Sequence, residues 1–453
     1  MAARLTRYGR RIVPQGTTGL DGDCMILTRI ASTPATRILL LERMRYQLVL
    51  GLIIGVLLPL AIVVPTRRLD AITIAGIQNS AIAAVVAVVL AIVMYRRVTS
   101  FPGIRAFRYV LPTYSGAFAF VLAAIVAMRI DYNRPLLALS FALTLMVAIV
   151  SAFLVLRRGV RRFYLVPFGR YQVAFRAPST EWIVMDEPRI PDDPSAIIVA
   201  DLRFDHEQAW EQMLAHAAVA GYPVYHIKQL RESLTGRVSI EHISENSFGS
   251  LLPNLAYRKV KRAIDLIAAF IVLPLLMPLL LVVALLIKLD SRGPILFRQE
   301  RMGYRGRPFR IFKFRTMRVQ AAIPEDSRTA AMTGDNDPRI TKLGRFLRRS
   351  RIDELPQMLN IIAGDMSWIG PRPEAVPLSV WYEQEIPFYF YRHIVRPGIT
   401  GWAQVNQGHV SDIESVSAKL GYDFYYIQNF SAWIDVLITL RTISTMLNGF
   451  GAR

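Results

Sequence analysis

Residues 350–373 read SRIDELPQMLNIIAGDMSWIGPRP, and this stretch decides how the rest of the chain is interpreted. Its centre is the acidic pair Asp353 and Glu354. The preceding TKLGRFLRRS segment has apolar residues at helical spacing and several arginines elsewhere on the turn, which predicts a basic helix. Pro356 is compatible with the first turn of a second helix. We therefore predict two carboxylates at the positive end of a helix.

The acidic pair has two interpretations. An isolated Asp-Glu pair most often caps a helix and begins its first turn. Here arginines flank the pair, and a rigid Gly370-Pro371-Arg372-Pro373 segment follows it. Such a setting suits a phosphate group together with a divalent cation, and carboxylates also act as nucleophiles on phosphorus. The context therefore favours a phosphate-transfer site over a cap.

Composition predicts a membrane protein of two or three domains. The chain has 453 residues, 53% hydrophobic content and a net charge of +20. Its basic residues cluster beside apolar stretches and form no nucleic-acid-reading motif, so we expect partners among anionic lipids and phosphorylated substrates and no nucleic acid. The one cysteine, Cys24, excludes an internal disulfide and a cysteine-based metal site.

Four long uncharged windows precede the centre of the chain. Each is near the ~20 residues that a helix needs to cross the hydrocarbon, and they predict a four-helix transmembrane domain over 46–156. They cover 46–64, 71–95, 109–128 and 135–156. Arginine-rich flanks place both ends of this bundle on the cytoplasmic side. The windows contain no Asp, Glu, Lys, Arg or His, which disfavours a transporter. Residues 1–45 are predicted to be a basic disordered tail.

Residues 157–256 alternate strand-like and helix-like pieces, which predicts a small Rossmann-like α/β domain. No G-x-G-x-x-G motif follows a strand, so nucleotide binding lacks its phosphate-cradling turn. Regulation or dimer contact is the role that we expect for this domain.

A fifth apolar run, 266–287, contains Pro274 and Pro278. Basic residues flank this run on both sides, so a crossing helix would carry one basic set over the membrane, against the charge rule. We predict a re-entrant helix-break-helix that enters and leaves on the cytoplasmic side. The alternative is a kinked fifth span, since proline kinks are common in transmembrane helices. An α-rich domain over 257–453 would contain this re-entrant helix.

The segment after this run is basic and has turn residues between short strand-like pieces. Arg298, Arg301, Lys313 and Arg315 are available there for phosphate oxygens, which arginine forks bind well. Farther on, WYEQEIPFYFYRHIVRP mixes aromatic and basic side chains in the manner of a membrane-interface surface.

Six motifs together resemble a known family. They are KRAID at 261–265, SRGPILFRQERMG, KFRTM, RIDELPQMLNIIAGDMSWIGPRP, RPGITGWAQVN and YDFYYIQN. The pattern is similar to the bacterial sugar transferase family, the monotopic polyprenyl-phosphate phosphoglycosyl transferases, over residues 257–450. The preceding helices and α/β domain resemble the long subgroup that begins exopolysaccharide or O-antigen repeat synthesis.

The resemblance implies a reaction and a cofactor. A UDP-sugar gives its hexose 1-phosphate to undecaprenyl phosphate, and UMP is released. Asp353 is implied as the nucleophile that forms a phosphosugar-aspartyl intermediate, with Glu354 beside it. Both carboxylates are implied ligands of Mg²⁺, which offsets the charge of the diphosphate.

Further residues take roles from the same resemblance. Arg315, Arg372 and Arg396 are expected at the substrate phosphates. The membrane hairpin is expected to depend on four residues: Lys261, Arg262, Asp265 and Pro278. Two departures from the family occur: Gln407-Gly408-His409 follows Asn406 where N-G-R is frequent, and Met277 precedes Pro278 where serine is frequent.

We therefore expect an enzyme of the bacterial inner membrane with its catalytic domain on the cytoplasmic face. Its expected partners are a UDP-sugar, undecaprenyl phosphate, membrane lipids and, through the α/β domain, a second copy of the chain. A non-catalytic scaffold or regulator of polysaccharide assembly is the alternative. No residue pattern selects the sugar.

Overall fold

The structure, a computed structural model, describes residues 43–66, 70–99, 106–156, 161–169, 180–193, 196–238, 252–318, 337–407 and 413–448. These residues are rich in helix and include three small sheets. The chain forms two compact units, Met1–Thr235 and Gly236–Arg453. The predicted basic tail over 1–45 lies outside the described residues except for its last three positions.

The first unit begins with apolar helices at the predicted windows. They are α1 (Met44–Leu52), α2 (Leu58–Val63), α3 (Ala71–Thr99), α4 (Val110–Ala127) and α5 (Arg134–Leu156). A π-helical turn, Ile53–Leu57, joins α1 to α2. Small residues such as Ala84, Ala91 and Ala117 form the buried core between these helices, so the backbones approach closely.

Polar contacts also join these helices. The Ser140 hydroxyl donates to the Gly55 carbonyl at 2.5 Å. A Cβ on Gly55 would lie 2.1 Å from the Thr144 hydroxyl, so this turn requires glycine. At the other end of the bundle, the Asn79 side-chain amide donates to the Asp131 carbonyl at 3.0 Å. Small residues and single hydrogen bonds of this kind are typical of helix packing in membranes.

The α/β part of the first unit has one parallel sheet. Its strands are β1 (Arg161–Leu165), β2 (Thr180–Val184), β3 (Ile197–Ala200) and β4 (Val224–His226), in the order β2-β1-β3-β4. Helix α6 (Gln208–Val219) connects β3 to β4 and buries Trp210 and Met213 in the core with Ile198. Helix α7 (Ile227–Thr235) follows β4. The parallel α/β character agrees with the sequence, and β3-α6-β4 is a βαβ unit.

The second unit begins with α8 (Leu255–Asp290), the longest helix that the structure describes. The helix-break-helix over 266–287 is wrong as a description of secondary structure, because α8 continues through Pro274 and Pro278. In the part of the chain that the structure describes, five helices are long and apolar enough to cross a membrane: Met44–Val63, Thr73–Thr99, Val110–Ala127, Arg134–Val155 and Leu255–Asp290.

The rest of the second unit packs against the two ends of α8. A hairpin of β5 (Leu296–Met302) and β6 (Pro308–Phe314) is followed by α9 (Lys342–Ser350), α10 (Met358–Ala363), β7 (Ser367–Ile369), α11 (Val376–Glu385), β8 (Gly398–Thr400), α12 (Trp402–Asn406), α13 (Ile413–Gln428) and α14 (Ala432–Asn448). Ala269 is buried with Ile361 and Met366, while Ile287 is buried with Phe314.

Candidate active site

The acidic pair lies where two helices meet. Thr341 caps α9 by accepting from the Gly344 amide at 2.9 Å, and α9 ends at Arg351 in the left-handed region (φ +58°). A 3₁₀ helix, Ile352–Gln357, then leads into α10. The predicted pair of helices is confirmed, with a 3₁₀ first turn in the second. Asp353 and Glu354 are both buried in that turn, 8% and 6% exposed.

Glu354 is surrounded by cations from three parts of the chain. Its Oε1 atom lies 3.1 Å from Lys313 Nζ on β6, 3.1 Å from Arg372 Nη2 and 3.8 Å from Arg351 Nη1. Burial alone would raise the pKa of Glu354, but Arg372, Lys313 and Arg351 outweigh it and hold the pKa well below its usual value. Glu354 is therefore a fixed anion at neutral pH.

The environment of Asp353 is the opposite of that of Glu354, because no ion pair reaches Asp353 within the described ranges. Its Oδ1 atom is buried and has no hydrogen-bond partner among the residues that the structure describes. Burial, and next the negative charge of Glu354, raise the pKa of Asp353 to about 6, although Lys313 and Arg348 act in the other direction. No side-chain cap closes this helix start, so the interpretation of Asp353 as a cap is not supported. A poorly solvated, weakly compensated carboxylate is suited to act as a nucleophile or ligand.

The two carboxylates fit a magnesium ion that is shared with a diphosphate. Within the described ranges, no group of three or more His, Cys, Asp or Glu side chains could hold a metal. Mg²⁺ is commonly bound by one or two carboxylates plus substrate phosphates. The unpartnered Oδ1 of Asp353 would supply one such ligand, and Glu354 follows it in the chain.

Arg372 is held at the site by close backbone packing behind it. A Cβ on Gly370 would lie 2.3 Å from the Arg396 carbonyl, so the turn before Arg372 can approach the RPG segment only with glycine. The Arg372 carbonyl accepts from Arg392 Nη2 at 3.0 Å. Glu354 raises the pKa of Arg372, which stays charged beside the acidic pair. The structure thus brings Arg372 together with Asp353 and Glu354, as the sequence predicted.

Arg315 and Arg396 lie elsewhere. Arg315 is buried, and its Nη2 donates to the carbonyls of Ile287 and Ser291 at 3.3 and 2.6 Å, at the end of α8. Arg396 donates from Nε to the Gly364 carbonyl at 2.9 Å. Within the ranges described, no ion pair or hydrogen bond joins either arginine to the acidic pair. Their expected phosphate contacts stay predictions.

Three of the four predicted hairpin residues fasten the first turns of α8. Lys261 Nζ lies 2.7 Å from Asp435 Oδ2. Arg262 Nη1 donates to the Ile361 carbonyl at 2.6 Å, and the Asp265 carbonyl accepts from the Trp368 indole at 3.1 Å. These contacts hold the start of α8 against α10, β7 and α14. Pro278, the fourth, lies inside α8.

A second buried charge cluster was not predicted. It consists of Glu374, Arg392, Lys419 and Asp423, and is called the Glu374 cluster below. Lys419 Nζ lies 2.5 Å from Glu374 Oε1, and Arg392 Nη2 lies 2.8 Å from Asp423 Oδ2. The spacing of Lys419 and Asp423 on one helical face was the available signal, but it is also typical of a solvated face.

Asn406 begins the segment that departs from the family pattern. An arginine reaches it from another element: Arg441 on α14 donates to the Asn406 side chain and lies over the Trp402 ring, 4.5 Å from its centre. Residues 408–410, which include the other positions of the departure, lie outside the described residues.

The chain is similar to known proteins over most of its length. A family model described as bacterial sugar transferase matches residues 256–449. A UDP-N-acetylgalactosamine-undecaprenyl-phosphate N-acetylgalactosaminephosphotransferase of Aeromonas hydrophila is 45% identical over 363 residues, which are 80% of this chain and 85% of that protein.

Other relatives match a shorter part. A UDP-glucose:undecaprenyl-phosphate glucose-1-phosphate transferase of Escherichia coli K12 is 44% identical over 188 residues, 41% of this chain and 40% of that protein. The enzyme of the same name from Caulobacter vibrioides is 45% identical over 201 residues, 44% of this chain and 74% of that protein.

Apolar helices together with an acidic pair among cations are consistent with a membrane-associated transferase. The Aeromonas relative aligns over most of both chains, and the family model covers the residues of the acidic pair. The chain belongs to the bacterial sugar transferase family.

Proposed function

We propose that this enzyme transfers a sugar 1-phosphate from a UDP-sugar to undecaprenyl phosphate, releasing UMP and beginning a polysaccharide repeat unit. The observation that carries the proposal is the difference in charge environment between two adjacent carboxylates. Glu354 is held as an anion by three cations, whereas Asp353 has a buried, unpartnered oxygen and a pKa raised to about 6. The relatives named above act on this class of substrates.

The first half-reaction breaks the diphosphate. An Asp353 oxygen attacks the β-phosphorus of the UDP-sugar, and the bond from that phosphorus to the oxygen bridging the α-phosphate breaks. UMP leaves with the bridging oxygen and its electron pair. The sugar phosphate is then bonded to Asp353. Arg372, which is charged and 3.1 Å from Glu354, lies next to the attacking group and can bind the phosphate oxygens.

The second half-reaction restores the carboxylate. A phosphate oxygen of undecaprenyl phosphate attacks the same phosphorus, and the bond to Asp353 breaks. The product is a lipid diphosphosugar, and Asp353 returns as an anion. Glu354, Lys313 and Arg351 keep their positions through both steps, because their ion pairs do not involve the reacting oxygen. Mg²⁺, held by Asp353 and Glu354, would neutralise diphosphate charge as the leaving group departs.

We propose UDP-N-acetylgalactosamine as the first donor to test. The relative that aligns over 80% of this chain is named for that donor, whereas the two glucose-1-phosphate transferases align over 41% and 44%. Their alignments therefore leave more than half of this chain unmatched. A glucose donor is the second candidate.

We further propose that the four apolar helices of the first unit cross the inner membrane and that α8 enters and leaves on its cytoplasmic face. Ala269 precedes the two internal prolines of α8 and Ile287 follows them, and they belong to hydrophobic clusters that also contain Ile311 and Phe314 of β6, respectively. Ile311 and Phe314 are ~10 Å apart along a strand. Ala269 and Ile287 would be ~27 Å apart along a straight helix. A bend of α8 at the internal prolines would bring the two clusters closer together.

Cysteine labelling tests this placement. In a Cys24→Ser background, Arg349→Cys should stay protected from an impermeant reagent outside intact cells, because α9 lies near the acidic pair. Asp131→Cys, between the third and fourth apolar helices, should be labelled. Equal labelling of the two positions would overturn the cytoplasmic placement of the site.

Turnover tests the activity itself. Purified protein with undecaprenyl phosphate, Mg²⁺ and UDP-N-acetylgalactosamine or UDP-glucose should release UMP, and Asp353→Asn should not. Mass spectrometry of protein with donor and no acceptor should find the sugar phosphate on Asp353. Failure to release UMP with a broad panel of UDP-sugars would favour the scaffold alternative.

A homodimer formed through the α/β domain stays a prediction, which light scattering in detergent can check.

A further inference from the structure

Three arginines contact Tyr304 in the turn between β5 and β6, and a fourth, Arg262, interacts with one of them, Arg396. The four are called the Tyr304 cluster below: Arg258, Arg262, Arg305 and Arg396. Arg258 Nη1 donates to the Tyr304 hydroxyl at 2.9 Å. The guanidinium carbons of Arg305 and Arg396 lie 5.1 and 5.2 Å from the centre of the Tyr304 ring. Three cations therefore share one aromatic side chain as a contact.

The carbonyl end of α10 holds two members of this cluster. Arg262 donates from Nη1 and Nη2 to the carbonyls of Ile361 and Ile362 at 2.6 and 3.2 Å. Arg396 donates from Nε to the Gly364 carbonyl at 2.9 Å. The negative end of a helix favours nearby cations, so these contacts fix both guanidinium groups in place.

Within the described ranges no ion pair compensates the cluster, and the carboxylates of Asp265 and Asp365 act on Arg262 only from a distance. Among the described residues, no carboxylate oxygen lies within 4 Å of any of the four guanidinium groups. Within the same ranges, the two terminal nitrogens of Arg396 make no hydrogen bond. Four adjacent positive charges repel one another, and a bound anion removes that repulsion. This differs from Arg372 and Lys313, whose charges are compensated by Glu354.

Arg305 lies in the turn that joins β5 to β6. Its φ is +58° and that of Gly306 is +69°, which is usual for a hairpin turn. Here the turn presents an exposed arginine to the Tyr304 ring.

The cluster lies at the beginning of a large exposed apolar surface. Val260, Ile264 and Ile267, on the same turns of α8 and the next, are 54%, 52% and 60% exposed. Given the membrane placement proposed above for α8, this surface contacts lipid and the arginines beside it lie at the level of the headgroups. Basic groups at that level attract anionic lipids.

The cluster is separate from the reacting carboxylate. Asp353 and Ile361, whose carbonyl holds Arg262, are eight residues apart on a 3₁₀ turn and α10. That corresponds to ~14 Å along the helix axes. A single phosphate group therefore does not reach both places, and the phosphate transferred at Asp353 leaves the Tyr304 cluster open to another ligand.

We propose that the Tyr304 cluster binds the phosphate headgroup of an anionic phospholipid, which stays bound beside α8 during turnover. Arginine forks match phosphate oxygens in geometry and charge, and the exposed apolar residues of α8 would contact the acyl chains. The bound lipid would hold the first turns of α8 at a fixed depth relative to the acidic pair.

The test measures lipid retention by the full-length chain. Protein washed in an uncharged detergent is titrated with phosphatidylglycerol, and bound lipid is counted by native mass spectrometry. Arg258→Gln/Arg305→Gln should lower retention at least fivefold. The matched control is Arg310→Gln/Arg345→Gln, which removes two exposed arginines outside the cluster and should retain lipid like the parent. Arg258→Lys/Arg305→Lys, which keeps the charge, should restore a large part of the binding.

Four outcomes would overturn the proposal. The first is equal retention of phosphatidylglycerol by the cluster variant and the control. The second is equal binding of zwitterionic phosphatidylcholine to the parent. The third is displacement of phosphatidylglycerol by UMP or inorganic phosphate, and the fourth is its displacement by equimolar undecaprenyl phosphate. The third outcome would indicate a nucleotide site and the fourth an acceptor site. Because retention is measured without a UDP-sugar, a failure here is distinguishable from a failure of the transferase assay.

Discussion

Two buried charge clusters in the second unit contain the same kinds of residues and compensate their charges differently. In the Glu374 cluster, each acid has a cation of its own: Lys419 beside Glu374 and Arg392 beside Asp423. Around the acidic pair, Lys313, Arg351 and Arg372 all approach Glu354, and no ion pair reaches Asp353 within the described ranges.

The difference separates a structural site from a reactive one. Arg392 is only 3% exposed, and it also donates to the Tyr389 hydroxyl at 2.7 Å and to the Arg372 carbonyl. It therefore joins the Glu374 cluster to the backbone of Arg372. Burial raises the pKa of both Asp353 and Asp423, but only Asp423 has an ion pair within the described ranges, so we expect the Asp353 carboxylate to be the one available to an incoming group. Groups whose charges are poorly compensated are where functional chemistry is concentrated.

The largest expected effect compares two isosteric substitutions. Asp353→Asn removes the nucleophile and should lower UMP release by roughly 10³-fold or more. Asp423→Asn removes a buried carboxylate from the Glu374 cluster and should leave UMP release per folded molecule within a few-fold of the parent. Initial rates normalised to the folded fraction measure both. Comparable losses in the two variants would mean that the two clusters do not differ in function.

The next effect is on stability. Arg392→Met leaves the buried Asp423 without its cation, which costs roughly 3–5 kcal/mol. Thermal unfolding in detergent should show a melting temperature lowered by several degrees. The control is Arg310→Met, because Arg310 is exposed and its ion pair with Glu300 contributes little. A melting temperature like that of the control would show that the Glu374 cluster does not stabilise the fold.

The sequence predicted the parts of the fold that local pattern determines. The apolar windows correspond to helices because a continuous uncharged run of that length has few alternatives. The basic helix before the acidic pair was also found, since Leu343 and Leu347 recur at helical spacing and Leu347 is buried. Two carboxylates at a helix start were predicted for the same local reason.

Long-range partners could not be predicted in this way. Lys313 was one of four cations on a basic hairpin, and only the folded chain shows that it is the one beside Glu354. Arg315 was assigned to phosphate; its Nη2 donates to the end of α8, its Nε and Nη1 have no hydrogen-bond partner among the described residues, and the assignment stays a prediction. The break expected in α8 was wrong, because proline in a helix is tolerated without ending it when neighbouring groups compensate.

A smaller effect is the pH dependence of stability. The pKa of Asp353 is raised from its usual value of 3.8 to about 6, so its folded form favours the proton. The contribution of Asp353 to the free energy of unfolding is complete below pH ~4 and is lost as the pH rises through ~6. Above that pH the buried charged form lowers the free energy of unfolding by roughly 3 kcal/mol.

Comparing two variants checks the sign. Asp353→Asn should raise the melting temperature at pH 8 and leave it nearly unchanged at pH 4. Glu354→Gln should lower it at pH 8, because the pKa of Glu354 is depressed and its contribution exists only above the usual carboxyl pKa. Shifts of the same sign at pH 8 would contradict the assignment of opposite environments to the pair.

The smallest effect is on the pH profile of turnover. Attack on phosphorus needs the Asp353 anion, so kcat/KM should fall about tenfold per unit of pH below about 6. Lys313 opposes the rise in the pKa of Asp353. Lys313→Met should therefore move this acidic limb of the pH profile to higher pH and also lower the maximum rate. Arg310→Met, on the same strand but exposed, should leave the limb in place. A limb that stays at the same pH in Lys313→Met would mean that the titrating group is not Asp353, and the comparison of the two clusters would then rest on the stability measurements alone.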